Sequence, residues 1–318
     1  MTFTQRIKKE ISILPINLHD DKSELIAILR LNGFYALGNK KWKNKFEIQT
    51  QNPAVAVRTY KLLEKIYNPD IKIDIQKNSK IQKEGSHRYV LIVSNKSVDF
   101  ILHDLSIKPF FEQSMIPKKF LTSSKQKKSF LRGAFLISGS MNDPISKDYH
   151  LEISSSNEAI IGKISGIINS SPFNLDSKLI YRRNKRVVYI KASEQISDFL
   201  SLIGATNSML SFEDFRIIAD MRNSANRLVN ADSANASRMS KAANKQLIAM
   251  KVLKNKGILK QLPIKLKKVA TLRLNNPDSS LKELSKLTGY KITKSGVNHR
   301  MRKLMKIAGS SQKKFDLS

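Results

Sequence analysis

LRGAFLISG, residues Leu131–Gly139, has an echo earlier in the chain: LIAILRLNG, residues Leu25–Gly33. Each is an apolar, helix-like stretch that stops at a small polar residue and a glycine, Ser138-Gly139 in one and Asn32-Gly33 in the other. The segments after the two glycines are also alike. After Gly33 come two strand-like pieces, FYALGN and KFEIQT, then the helix PAVAVRTYKLLEKIY with proline in its first turn, where the missing N–H is no loss. IKIDIQ alternates strictly and puts Ile71, Ile73 and Ile75 on one face. HRYVLIVSN reads as another strand and SVDFILHDLSI as a closing helix. After Gly139, short strands surround DYHLEISS, NEAIIGKISGIINS reads as a helix, SKLIYRRNKRVVYIKAS as a hairpin turning near Arg183-Asn184, and SEQISDFLSLIG as a helix. Each half is αββαββα, over about 20–107 and 125–205. The reading predicts an α+β domain over 1–205, with its two leading helices paired about a pseudo-twofold axis and their small-residue ends meeting.

Composition excludes several classes. Hydrophobic residues make up 41 % of the 318, too many for a disordered chain. No apolar run approaches the roughly 18 residues that span a bilayer. The first residues carry charges where a secretion signal would be apolar. The chain has no cysteine, and none of its 5 histidines pairs with another at ligand spacing, so no metal site and no cofactor are expected. The absence of cysteine suits a cytoplasmic protein. A formal net charge of +31 attracts polyanions, nucleic acid first and an anionic membrane second; solubility in a lysine-biased composition is the plainer explanation of bulk charge. Its location along the chain decides between them.

From Lys251 to Ala308 the many Lys and Arg residues meet only two acids, Asp278 and Glu283. Before this region, residues 206–256 have little strand character and much Ala, Asn and Ser, which predicts one or two polar helices as a linker. Residues 257–310 parse into three helices. The first has Pro263 in its first turn, stops at Asn275-Asn276-Pro277, and shows Leu266, Val269, Ala270 and Leu274 on one face. The second opens on a capping box, Ser280 with Glu283, turns Leu281, Leu284 and Leu287 inward, and ends before Gly289. The third begins near Lys294 and buries Val297, Met301, Leu304 and Ala308. Steps of 100° then put Ser295, His299, Arg302, Lys303 and Lys306 outward, with Asn298 and Arg300 at the margins. Two helices joined by a short turn, the second basic outside, form the helix-turn-helix pattern. Its candidate DNA-binding residues are Ser280, Lys282, Lys294, Ser295, Asn298, His299, Arg300, Arg302, Lys303 and Lys306. Asn298, His299 and Ser295 are assigned to base edges; Arg302, Lys303 and Lys306 mainly to phosphates.

FLRGAFLISGSMNDPISKDYHLEI, NRLVNADSANASR and NPDSSLKELSKLTGYKITKSGVNHRMRKL resemble the WhiA family over nearly the whole chain, and FTQRIKKEI at the start fits it too. That family joins a domain like those of LAGLIDADG homing endonucleases to a C-terminal helix-turn-helix. The resemblance implies a cytoplasmic, nucleoid-associated protein that binds double-stranded DNA and takes part in transcription, cell division and chromosome segregation, and in sporulation where spores form. A cysteine pair common before the first motif helix is replaced here by Leu18-His19-Asp20-Asp21, so no thiol role carries over.

LAGLIDADG endonucleases place an acid at the end of each motif helix, and the two carboxylates hold the divalent metals of hydrolysis. The matching positions here are Asn32 and Ser138, an amide and a hydroxyl. The expectation is a nuclease-like scaffold without catalytic residues. Three functions compete: a sequence-reading regulator, a nucleoid-associated protein of low specificity, and an active nuclease. Lys40, Lys41, Lys43 and Lys45 fit equally a DNA-facing sheet and a solvated hairpin. Protein partners are not legible.

Overall fold

The computed structural model describes residues 1–36, 45–77, 87–94, 96–107, 116–146, 148–289 and 291–313. Of Lys40, Lys41, Lys43 and Lys45, only Lys45 lies among them. The chain forms two compact units, Met1–Ala219 and Asp220–Ser318. No helix among the described residues is long and apolar enough to cross a membrane.

The first unit opens with α1 (Phe3–Ser12), which precedes the repeats, is closed by a Thr2–Gln5 capping box, and buries Phe3, Ile7 and Ile11. The first repeat continues as α2 (Lys22–Asn32), β1 (Gly33–Ala36), β2 (Lys45–Thr50), α3 (Pro53–Tyr67), β3 (Ile71–Lys77), β4 (His87–Ser94) and α4 (Lys96–Asp104). The second is α5 (Ser124–Ser138), β5 (Gly139–Met141), β6 (Leu151–Ser155), α6 (Glu158–Asn169), β7 (Lys178–Arg182), β8 (Lys185–Ile190) and α7 (Ser193–Ile203). Both halves are the αββαββα unit read from the sequence. Their antiparallel sheets share one strand order, β1-β2-β4-β3 and β5-β6-β8-β7.

α2 is apolar all round its middle, and Leu25 to Leu29 are all fully buried, as a helix at the centre of a fold must be. It packs against α5, the leading helix of the other repeat. Gly133 permits the approach: a Cβ there would lie 2.3 Å from the Glu24 carbonyl oxygen. α3 and α4 cover one sheet and α6 the other. The β7–β8 hairpin turns on Arg183 and Asn184, both at positive φ (50° and 58°), a two-residue turn whose twist suits the flanking strands.

The sequence put Ile71, Ile73 and Ile75 on one face, and the structure bears this out. The register keeps them on one face, opposite Val93, Leu91 and Tyr89 of β4. β3, however, is an edge strand, and the helices do not reach across its far end, so Ile73 and Ile75 are 49 % and 58 % exposed.

α8 (Thr206–Asn255) is one 50-residue helix. At its start the Glu10 carboxylate accepts from the Asn207 and Ser208 backbone N–H groups (2.6 and 2.9 Å), a negative charge on the positive end of a helix dipole. Phe212 joins the core of the first unit, and Met250 and Leu253 that of the second. The second unit is completed by α9 (Ile258–Gln261), α10 (Ile264–Asn275), α11 (Leu281–Leu287) and α12 (Lys294–Lys313).

Candidate nucleic-acid interface

α10, α11 and α12 close on one apolar core with the end of α8. Leu266, Val269 and Ala270 of α10 meet Leu284 of α11 and Val297, Met301, Leu304 and Ala308 of α12, all buried as their spacing requires. Leu274 is half-buried against the same core. Arg273, beside it, is buried as well: Nη1 donates to the carbonyls of Asn276, Pro277 and Ser279 (3.3, 3.1 and 2.6 Å), and Nη2 to Gln246 Oε1 (2.9 Å). One guanidinium thus holds the loop that delivers the chain to α11. The periodicity of α10 gave no sign of it, because a polar side chain in the row between Leu272 and Leu274 reads as solvated.

The Ser280–Glu283 capping box is formed in both directions, 2.7 and 3.2 Å. Donation to Glu283 by the Ser280 backbone and side chain holds the Glu283 carboxyl below its usual range. Leu287 does not face inward as its sequence position suggested; it is 51 % exposed. Thr288 takes the inward place: its hydroxyl donates to the Ser285 carbonyl at 2.6 Å and accepts from the Ile292 N–H at 3.3 Å. The Ser285 hydroxyl donates to the Ile292 carbonyl. This polar clasp organises the turn to α12. Gly289, at φ 66°, is the left-handed residue that ends α11, and Thr293 caps α12 by accepting from the Gly296 N–H at 3.2 Å.

The buried stripe fixes the opposite face of α12. Lys294, Ser295, His299, Arg302, Lys303 and Lys306 are exposed, Asn298 and Arg300 lie half-buried at the margins, Lys282 is exposed on α11, and the Ser280 hydroxyl is engaged in the cap. The structure therefore gathers the residues singled out on α12 into one basic, amide-bearing surface, and sets Lys282 and Ser280 on the neighbouring helix.

In the first unit, the ends of α2 and α5 carry no carboxylate. The Asn32 amide donates to the Gln49 carbonyl, and the Ser138 hydroxyl donates to the Ala134 carbonyl of its own helix at 3.2 Å. Glu24 and Asp21, at the other end of α2, are occupied by cations. Arg58 of α3 grips Glu24 through Nε and Nη2 at 2.8 Å each, and its Nη1 donates to the Leu14 carbonyl. Arg132 of α5 reaches Glu24 at 3.2 Å and Asp21 at 3.4 Å, and Ser129 donates to Asp21 at 2.8 Å. Arg58 is 1 % exposed and Glu24 0 %. Burial pulls the Arg58 guanidinium down, but its hydrogen bonds to Glu24 and the charges of Glu24 and Asp21 outweigh this and leave its pKa raised. Two acids and two arginines close a neutral cluster between the repeats. Asp143, the other nearby acid, is exposed and caps a turn by accepting from the Ile145 N–H at 3.0 Å. Among the described residues no group of three or more His, Cys, Asp or Glu side chains is placed to hold a metal.

A cavity of ≈ 470 Å³ opens where the two leading helices end, lined by Asn32, Ile137, Lys8, Gln49, Asn52 and Arg88 among others. Asn32 and Ile137, the residue before Ser138, line the same cavity. Lys8 and Arg88 were not singled out from the sequence. Lys8 stands on a helix that precedes the repeat, and Arg88 alternates with apolar residues on β4.

The sequence model of the WhiA N-terminal LAGLIDADG-like domain matches residues 19–108, that of the WhiA LAGLIDADG-like domain residues 127–222, and that of the WhiA C-terminal HTH domain residues 225–308. Over 308 residues the chain is 53 % identical to a probable cell division protein WhiA of Oenococcus oeni, covering 96 % of this chain and 97 % of that one. It is 40 % identical to a probable cell division protein WhiA of Ligilactobacillus salivarius, covering 97 % and 96 %. The crystal structure of full-length DUF199/WhiA from Thermatoga maritima aligns with a TM-score of 0.58 at 28 % identity, over 98 % of this chain and 99 % of that one.

Proposed function

The chain belongs to the WhiA family, and from that premise we propose that it is a double-stranded-DNA-binding regulator with a role in cell division, its α12 lying in the major groove. The observation that carries this reading is the face of α12: Ser295 and His299 near its N-terminal end and Arg302, Lys303 and Lys306 further along stand exposed away from a fully packed stripe, with Asn298 half-buried at the margin. In helix-turn-helix docking the first turns of the recognition helix meet base edges. The relatives' names support the part in cell division, and transcription control and association with the nucleoid follow from DNA binding.

Two classes of contact separate by salt. Removing a base contact should cost roughly 1–3 kcal/mol and relax preference at one position, whereas removing a phosphate contact weakens all sequences alike and lowers the salt slope by about one. Asn298→Ala should behave as the first and Lys306→Ala as the second when affinities for selected and random duplexes are compared over a salt series. If both variants bind every duplex as the parent does, α12 is not the reader. A second reading, a nucleoid protein of low specificity, draws on the net charge of +31; it predicts equal affinity for selected and random duplexes at fixed salt.

The scaffold of the first unit is proposed to be non-catalytic. An amide and a hydroxyl are poor replacements for two anionic oxygens on a hard cation. Plasmid DNA incubated with the purified protein and magnesium or manganese should remain supercoiled. Metal-dependent cutting that copurifies with the protein and disappears in Asp143→Asn would overturn this.

A further inference from the structure

We propose that the cavity at the ends of α2 and α5 is a binding site for a phosphate group, held between the Lys8 ammonium and the Arg88 guanidinium. The inference is independent of the helix-turn-helix reading, because it concerns only the first unit. Both cations line the cavity, and among the described residues no Asp or Glu does. Neither makes a salt bridge among the described residues. Arg88 Nη1 reaches only the Gln49 side-chain oxygen at 3.4 Å, and the Lys8 Nζ stands 6.0 Å from the Phe135 ring centroid without a hydrogen bond to any described residue. Amide and hydroxyl groups complete the lining at Asn32, Gln49, Thr50 and Asn52.

Burial pushes the Lys8 ammonium down to about 8. A half-buried cation with no counter-ion among the described residues disfavours its charged form, and an anion in the cavity restores it. Where a pair of carboxylates would call for a metal cation, two basic side chains call for its complement. A phosphate oxyanion fits the pair, as a monoester dianion or a diester monoanion: a guanidinium fork takes two oxygens side by side, and an ammonium adds a point charge.

The sign of the pH dependence is set by Lys8. With its folded pKa depressed toward 8, unliganded Lys8 opposes folding while protonated, and that penalty lifts as pH rises from about 8 toward the ordinary lysine value. Phosphate binding runs the other way, because it needs the proton. Affinity should fall by about tenfold or more between pH 7.5 and 9.5, a range in which phosphate itself stays largely dianionic.

The test is calorimetric titration of the full chain with inorganic phosphate, against chloride at matched ionic strength. Saturable binding that weakens through pH 8–9, is lost in Lys8→Met and falls several-fold in Arg88→Gln supports the site. Lys8→Met keeps the apolar stem beside Phe135 and removes an uncompensated charge, so it should fold at least as stably as the parent at pH 7. Lys306→Ala should titrate unchanged, which separates this site from the α12 surface. Equal phosphate binding in the parent and both cavity variants, an identical response to chloride, or affinity flat with pH would overturn the proposal. Two competition arms identify the source of the group: displacement by a short DNA duplex points to the backbone, and displacement by a nucleoside monophosphate but not by duplex points to a soluble ligand.

Discussion

Arg58 does the work of several residues. It sits on α3, grips Glu24 with two nitrogens, and ties the chain before α2 through the Leu14 carbonyl. Such a pair is weak evidence for net stability, since desolvation of both charges offsets their attraction. Removing one partner is another matter, because the other charge stays buried alone. Arg58→Met leaves Glu24 and Asp21 facing only Arg132, and should lower unfolding free energy by about 3–5 kcal/mol, measured by urea denaturation of the first unit's transition. A loss under about 1 kcal/mol would mean that water enters the cluster. Little of this was legible. PAVAVRTYKLLEKIY shows Arg58 as one of four charges on an amphipathic helix, and nothing in the spacing says that its partners are acids before and on α2. Pairing across the repeats is decided by the helix–helix approach that Gly133 permits. The empty motif ends were legible, because Asn32 and Ser138 stand at fixed places before the two glycines.

At the scale of elements, what could be read depended on how long a period ran. α12 repeats its buried positions four times in one helix, so Val297, Met301, Leu304 and Ala308 were placed from spacing alone, and the outward basic set came with them. α11 has barely two turns. There the choice between Leu287 and Thr288 rests on the clasp that Thr288 and Ser285 make with Ile292, and such hydrogen bonds override a leucine's preference to be inside. β3 shows a different limit. Its alternation names a face correctly, but only neighbouring elements decide whether that face is covered, and an edge strand outruns its cover. α8 is the opposite case again. Residues 220–242 are exposed throughout, rich in Asn and Ser, which are indifferent helix formers, and in Ala, which is the best. A stretch of that kind has no packed face, so its helix rests on propensity and on the turns anchored at either end.

The whole molecule inherits a weak point from that stretch. Phe212 anchors one end of α8 in the core of the first unit, and Ala243, Gln246, Met250 and Leu253 are buried in the second. Between them Arg222, Arg227, Arg238 and Lys241 offer exposed tryptic bonds in a segment that buries nothing. Local opening there breaks only solvent-exposed backbone hydrogen bonds, and its free energy should lie far below that of either core. Each unit has its own apolar cluster, and neither cluster contains residues of the other. Separate folding of the two units is therefore our proposal, and trypsin at low ratio should cut first at these four positions. The products should be a fragment running from Met1 to about Arg222, and one running from about Ala242 to the basic C-terminus. Calorimetry of the full chain should show two transitions, each kept by its isolated fragment. Arg58→Met should shift only the transition of the first unit. A single transition for the full chain, with neither fragment folded alone, would show instead that the two units depend on each other for stability.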